Sequence, residues 1–467
     1  MKKISIEDIV AVTGAKLLAS CENENAITGV KHDSRECGEG DLFVAIIGGV
    51  QDGHKYIPQV LAAGCRSVLV SHTNGWLDEI DEADRDNINI IMVDDTVYKM
   101  GELAKWYLDG LGIKKIAVTG SVGKTSTRDM IYFALSEKYN TGKNLKNFNN
   151  DIGLPISIFQ FDENTEAAVL EIGMNHFNEL SRLTRIIEPE IAVITNIGVA
   201  HMENLGSRDG IFKAKMEITE ALASKAQGGT LVYARDEEFL NGERTAGDYD
   251  QVSVGTNGHS DYIISDIDDF GLEGIEFNLE HNEQVYRVKL PVAGLHNATN
   301  AAIAIAVAQL AGVSIEDAIR GLGKVNLTGS RLKKVSGKNV TVIDDTYNAN
   351  PDSMKSALRV LEKTKAKGKR VAILGDMYEL GDNEAKQHFG VGIFARNCQI
   401  DTLISIGELG KNISDGANGG GLTVKHYDTK EEMIAEMKSL IHSGDVILVK
   451  ASRGLHLEDI VKEVAAI

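Results

Sequence analysis

Proline is scarce, with five in 467 residues, while glycine is plentiful at 47. That balance excludes Pro-rich linkers and suits many short turns between strands and helices. Cysteine is scarce too. The four present (Cys21, Cys37, Cys65, Cys398) show no C-x-x-C spacing, and no signal peptide precedes them, so they read as reduced thiols of a cytoplasmic protein. Long apolar runs are missing. The best, from Ala301 to Val313, is too short for a bilayer and contains Gln309, so it reads as a buried helix of a soluble chain. Basic residues are the minority, 49 against 68 acidic ones, for a net charge of −19. Such a field repels polynucleotides and anionic membranes, which argues against nucleic-acid and membrane partners. A small anionic substrate remains allowed wherever a local Lys/Arg cluster outweighs the mean. The remaining composition, 43% apolar and 25% charged, is ordinary for globular protein, and the length suggests about three domains.

The most informative stretch runs from Ile116 to Thr127. An apolar, β-branched run leads into Gly120-Ser121-Val122-Gly123-Lys124-Thr125, and a helical pattern begins near Ser126. This is the order of a strand, a phosphate-cradling loop and a helix N-terminus. Gly120 and Gly123 let successive backbone N–H groups point at one anion. Lys124 then reaches the terminal phosphates of ATP or GTP, and the Thr125 hydroxyl completes a Mg²⁺ shell. The strict P-loop pattern wants glycine at Val118, so the loop is a shortened variant. The competing reading is a glycine turn whose lysine is merely solvated.

Upstream, Asp33-Ser34-Arg35 and Gly40-Asp41-Leu42-Phe43-Val44-Ala45 precede a strand over 67–70. The alternation of Leu42, Val44 and Ile46 predicts another short strand. The Ser34-Arg35 pair beside Gly-rich turns suits a phosphate or a uracil edge through the forked arginine donors, and an exposed loop arginine explains it equally well. The aperiodic stretch 76–89 reads as a surface loop, and 96–108 as a helix. Downstream, strands are predicted at 167–172, 191–197, 230–234 and 286–292, with helices at 126–139, 207–224 and 297–311. Such alternation argues for an α/β fold with a largely parallel sheet, in which ligands sit beyond the carboxyl ends of strands. A second α/β unit follows Gly329-Ser330-Arg331, with strands at 340–343, 370–374, 402–406 and 446–449.

Residues at the strand ends carry the chemistry. Glu171 ends one apolar run, where a Mg²⁺–nucleotide complex needs a carboxylate, and His201 follows another and suits a second metal. Taken singly, either is explained as structural, the histidine as a solvated loop residue, and the pair beside a phosphate loop favours metal roles. Lys215 falls on the apolar face of its helix with Ile211, Phe212 and Ile218, and has no acidic residue three or four positions away. From pattern alone it snorkels to solvent. A desolvated neutral amine there would instead react with CO₂ to form a carbamate, exchanging a cation for an anion. Asn297 and Asn300 stand three apart at a helix start, placed either for a ligand or for capping. The turns 344–351, 375–381 and 450–453 are polar.

The set Thr119 to Thr125, Asn149-Asn150, Glu171, His201, Ala214-Lys215, His296-Asn297 with Asn300, Arg331, and Asp344-Asp345-Thr346-Tyr347-Asn348-Ala349-Asn350-Pro351 resembles the Mur ligases, cytoplasmic ATP-dependent amide ligases of peptidoglycan precursor synthesis. Asn147 to Pro155, Tyr347 to Pro351 and Gly375 to Gly381 look like the branch that adds D-alanyl-D-alanine. The resemblance implies an α/β fold of three domains: a UDP-sugar domain over 1–95, a central ATP domain over 96–326 and a Rossmann-like dipeptide domain over 327–467. It implies that Gly120, Ser121, Val122, Gly123, Lys124, Thr125 and Ser126 hold ATP together with Asn297, Asn300, Arg331 and Asp345. Thr125 and Glu171 would serve one Mg²⁺, with His201 and a carbamylated Lys215 serving a second. Ser34, Arg35, Asn149 and Asn150 would face the UDP substrate, and Tyr347, Asn348 and Asn350 the dipeptide. The implied substrates are UDP-N-acetylmuramoyl-tripeptide and D-Ala-D-Ala, used by a monomer that closes its domains before reaction. Sister amide ligases, including folylpolyglutamate synthases, and a non-catalytic P-loop nucleotide switch are the competing readings. The polar turns of the last unit argue against a switch, which has no need of a third substrate site.

Overall fold

The computed structural model describes residues 1–145, 147–198, 202–419 and 421–467. Three principal sheets follow one another along the chain. The first has five strands in the order Lys16–Ala19, Asn89–Met92, Ser67–Val70, Asp41–Val44, Gly29–Lys31, and all but Lys16–Ala19 run parallel. Leu42, Phe43 and Val44 are all buried, so the expected alternation is absent. A parallel strand covered on both faces has no solvent side to alternate with.

The central sheet has nine strands. Seven, from Thr141–Lys143 across to Tyr262–Asp269, run parallel; Ile275–His281 and Gln284–Leu290 then extend the edge antiparallel. One apolar core lies on each face of this sheet, and one of the two merges with the inner face of the first sheet through the helix Thr96–Asp109. The third sheet has six strands, with Val446–Lys450 and Arg370–Gly375 at its centre and the antiparallel Lys333–Ser336 at its edge, again cored on both faces.

Two further expectations change. The stretch 76–89 holds two one-turn helices, Trp76–Glu79 and Glu82–Arg85, and Trp76 is buried beneath them, its indole N–H donating to His72 O at 2.9 Å. An isolated aromatic anchor leaves no periodicity to read. The helix expected over 207–224 stops as an α-helix at Met216 and tightens into a 3-10 turn over Glu217–Thr219. Among the described residues no helix is long and apolar enough to cross a membrane, and all four cysteines are free thiols.

Candidate active site

The strand Lys114–Thr119 lies between Ala167–Glu171 and Ile191–Ile194, in parallel with both. Gly120 to Gly123 turn the chain and the helix Lys124–Leu135 begins. Both glycines are required. Gly120 adopts φ 152° and Gly123 φ 83°. A Cβ on Gly120 would fall 1.9 Å from Thr195 Oγ1, and one on Gly123 would fall 3.1 Å from Asn300 Oδ1.

The loop is clamped by residues that sequence reasoning missed. Thr195 Oγ1 donates to Val122 O at 2.6 Å, and Asn196 Oδ1 accepts from the N–H groups of Ser121 and Val122 at 3.1 and 2.9 Å. A signal existed, since both follow an apolar strand directly, where ligand-facing residues collect. Lys124 Nζ folds back onto Gly120 O at 2.8 Å.

Beside the loop, Glu171 Oε2 accepts from Thr125 Oγ1 at 2.7 Å and Oε1 accepts from Asn149 Nδ2 at 2.8 Å. Thr125 and Glu171 are 7% and 2% exposed. A buried hydroxyl touching a buried carboxylate is a hard oxygen donor set of the kind Mg²⁺ takes. The Ser121 hydroxyl on the same loop is buried with no hydrogen-bond partner among the described residues, which leaves a donor for a phosphate oxygen. The residues therefore fit a Mg²⁺–nucleotide.

Beneath this site lies a charged cluster the sequence did not announce. Arg128 and Asp129 are fully buried, with Nη2 to Oδ1 at 2.7 Å, and Lys143 Nζ reaches the same oxygen at 2.8 Å. Burial pushes the Asp129 carboxyl up, but Arg128 and Lys143 outweigh it and hold the group below its usual range. Its Oδ2 accepts the Thr328 N–H at 2.7 Å, tying the approach to the third sheet to the phosphate-loop helix.

Lys215 does not snorkel. It is 2% exposed, and Nζ has no hydrogen bond or ion pair with a described residue. Burial first, and the Lys124 ammonium second, push its amine well below the ordinary lysine value. His201 lies outside the described residues.

The third sheet completes the site. Arg331 donates through Nη2 to Thr125 Oγ1 at 3.2 Å and stacks over the Tyr347 ring, 3.8 Å from its centroid. Asp345 and Lys450, both buried, pair at 2.7 Å, and Lys450 Nζ also donates to Asn348 O at 2.7 Å. Burial raises the Asp345 carboxyl, and Lys450 pulls in the opposite direction.

A cavity of 810 Å³ unites these groups. Its wall includes Ser121 to Ser126, Asn149, Glu171, Asn297, Asn300, Arg331, Asp345, Tyr347, Asn348, Asn350 and Lys450. Several polar side chains there also have structural partners. Asn300 Nδ2 donates to Asn297 Oδ1 at 2.8 Å, Asn297 Nδ2 donates to Ala293 O at 2.7 Å, and Asn350 Oδ1 caps the helix Pro351–Lys363 through Ser353 N at 2.9 Å. Asn150 Oδ1 closes a local turn, accepting from Gly153 N at 2.8 Å. Ser34 and Arg35 are not on this wall. Arg35 is 81% exposed and paired with Asp33. Their loop does adjoin the Asn149 segment, through His32 packed edge-on to Phe148 at 6.5 Å.

Three family models match along the chain: the Mur ligase family catalytic domain at 26–107, the Mur ligase middle domain at 118–308 and the Mur ligase glutamate ligase domain at 330–453. The UDP-N-acetylmuramoyl-tripeptide--D-alanyl-D-alanine ligase of Bacillus subtilis (strain 168) is 38% identical over 466 residues, 99% of this chain and 98% of that protein. The chain belongs to the Mur ligase family. The Escherichia coli (strain K12) ligase of the same name is 32% identical over the same shares. Among solved structures, MurF from Acinetobacter baumannii superposes with a TM-score of 0.89 at 30% identity, covering 100% of this chain and 99% of that one. MurF ligase from Thermotoga maritima in complex with ADP gives 0.79 at 26% identity, covering 94% and 97%. This Mur ligase thus has the three-domain α/β fold of its family, with a mostly parallel central sheet.

Proposed function

We propose that this chain joins D-alanyl-D-alanine to UDP-N-acetylmuramoyl-tripeptide at the expense of ATP, the peptidoglycan-precursor reaction named for its full-length relatives. The observation that carries the reading is the convergence of the phosphate loop, the Thr125–Glu171 pair and the Arg331–Asp345–Tyr347 wall of another sheet on one cavity. A nucleotide switch needs only the first two.

In this reading the units 1–95, 96–326 and 327–467 hold the UDP substrate, ATP and the dipeptide, in a monomer of the cytoplasm. The tripeptide's terminal carboxylate attacks the γ-phosphorus of ATP, forming an acyl phosphate and releasing ADP. The dipeptide amine then attacks the acyl carbon, and the tetrahedral adduct expels phosphate and loses the amine proton. Two anions must meet in the first step. Lys124, swinging off the Gly120 carbonyl, and Arg331 place positive charge against the phosphates, while the loop clamped by Asn196 keeps them in line. Asn297, Asn300 and Asp345 lie along the nucleoside. Thr125 and Glu171 would hold one Mg²⁺; His201 and Lys215, as a carbamate, would hold a second. Bound there, the ions supply charge neutralisation for the anionic reactants. A neutral Lys215 amine adds to CO₂, forming an N–C bond and releasing a proton, and a depressed amine is what that addition requires. Asn149, Asn150, Ser34 and Arg35 are assigned to the UDP substrate, and Tyr347, Asn348 and Asn350 to the dipeptide.

The test is ADP release with UDP-N-acetylmuramoyl-tripeptide and ATP, with and without D-Ala-D-Ala. Turnover that depends on both substrates supports the reading. Turnover with lysine, diaminopimelate or glutamate in place of the dipeptide would move the chain to a sister activity.

A further inference from the structure

Three cations stand at the Tyr347–Asn348 turn, and two are committed to the protein. Arg331 donates Nη1 to Thr328 O at 2.6 Å and Nη2 to Thr125 Oγ1 at 3.2 Å. Lys450 is held by Asp345 and by Asn348 O. The third, Arg453, is exposed and makes no side-chain hydrogen bond or ion pair with a described residue. Its contact is the Tyr347 ring, 5.8 Å from guanidinium carbon to centroid, and that ring also carries Arg331. The acidic side chain that senses Arg453, Glu458, is engaged with His456 at 3.2 Å.

The guanidinium nevertheless leaves from a rigid turn. Lys450 ends a central strand, and Ser452 follows with its N–H on Asp376 O at 2.9 Å and its Oγ accepting from Tyr378 N at 2.9 Å. Arg453 then opens the short 3-10 turn Arg453–Leu455. A buried strand end and a two-bonded serine therefore anchor an unspent fork of donors beside the Tyr347 ring, which is part of the cavity wall.

We propose that Arg453 binds the terminal carboxylate of the incoming dipeptide, an assignment that rests on the ligase reading above. The reacting end of the dipeptide must lie near Thr125 and Arg331, where the phosphates are held. A dipeptide reaches roughly 7 Å from amine to carboxylate. Two guanidiniums stand over one aromatic ring, 3.8 and 5.8 Å from its centroid, so they lie no further apart than those two distances end to end, a span a dipeptide can bridge. In a chain of net charge −19, a free carboxylate needs a local cation, and the planar fork of arginine matches both of its oxygens. The same fork discriminates against a dipeptide whose C-terminus is amidated, because the amide offers one acceptor and no charge.

The experiment is steady-state kinetics of the full chain and of Arg453→Ala and Arg453→Lys, with D-Ala-D-Ala and with its C-terminal amide. Arg453→Ala lowers kcat/KM for D-Ala-D-Ala about 10- to 100-fold, the loss expected for one charge-assisted pair, while KM for ATP and for UDP-tripeptide stays within about twofold. The amide is already poor with the parent and loses little more in the variant, and Arg453→Lys keeps part of the parent's preference. Equal losses for acid and amide, or a shift confined to the ATP or UDP-tripeptide KM, overturn the assignment. Should Arg453→Ala melt early, the parent's acid-to-amide ratio against that of Arg453→Lys decides, and a ratio of one in the parent overturns it. If the parent itself releases no ADP with either amine, the reading of the reaction fails instead.

Discussion

Replacing Lys450 with methionine isolates the ion pair that organises the third-sheet wall. The side chains of Lys450 and Asp345 are 3% and 10% exposed, and Nζ spans Asp345 Oδ2 and Asn348 O at 2.7 Å each. Methionine keeps the apolar stem but leaves the Asp345 carboxylate in a site from which water is largely excluded. Removing one partner of a buried pair costs about 3–5 kcal/mol. In a unit of this size that corresponds to a fall of roughly 6–20 °C in the transition that melts the third sheet. The loss depends on pH with a definite sign. Burial already raises the Asp345 carboxyl and Lys450 restrains it, so the variant's carboxyl titrates higher still. A carboxyl raised in the folded state favours folding below its unfolded value, near 3.9, and gives up that contribution as pH climbs through the folded value. The gap between parent and variant is therefore smallest at acid pH and widens as pH rises through the two folded values. Calorimetry at pH 5 and pH 8 measures it. Lys450→Met with Asp345→Asn should recover much of the alkaline loss, since it removes the stranded charge. A loss under about 1 kcal/mol, or one equal at both pH values, would refute the reasoning.

Other consequences are open to direct measurement. Glu171→Gln keeps the bond to Asn149 but removes charge beside Thr125, so the Mg²⁺ concentration for half-maximal activity should rise at least about tenfold in a titration. Lys215→Ala should lose activity and regain part of it when a short carboxylic acid is added; full activity without the acid would sink the carbamate. Asn196→Ala strips an acceptor from two backbone N–H groups, and a cost of about 1–3 kcal/mol should appear in KM for ATP while KM for the dipeptide holds. Parent-like KM for ATP would mean the clamp does not organise the loop.

How much of this was legible before folding can be argued from single residues. The strands at 67–70, 230–234 and 402–406 match their predicted bounds, because short β-branched runs between turn signals are local patterns. The same holds for the phosphate loop, where glycine spacing and Lys-Thr say what the backbone must do. Lys215 was half legible. Its place on an apolar face could be counted, but whether its stem reached water depended on what covered that face, and the fold covers it.

The order of strands and helices, the anion-cradling turn and the set of strand-end polar residues are written locally, since each follows from neighbours a few positions apart. Which of those residues meet is set by the assembled fold. Thr125 touches Glu171 across 46 positions, Asn196 reaches the loop from 74 and 75 positions away, and Arg331 reaches Thr125 across 206. Such contacts have no local signature, because sheet pairing, not chain proximity, brings one strand's end beside another's. The burial that lowers the Lys215 amine and raises the Asp345 carboxyl arises in the same way, from packing that excludes water only once the sheets are assembled.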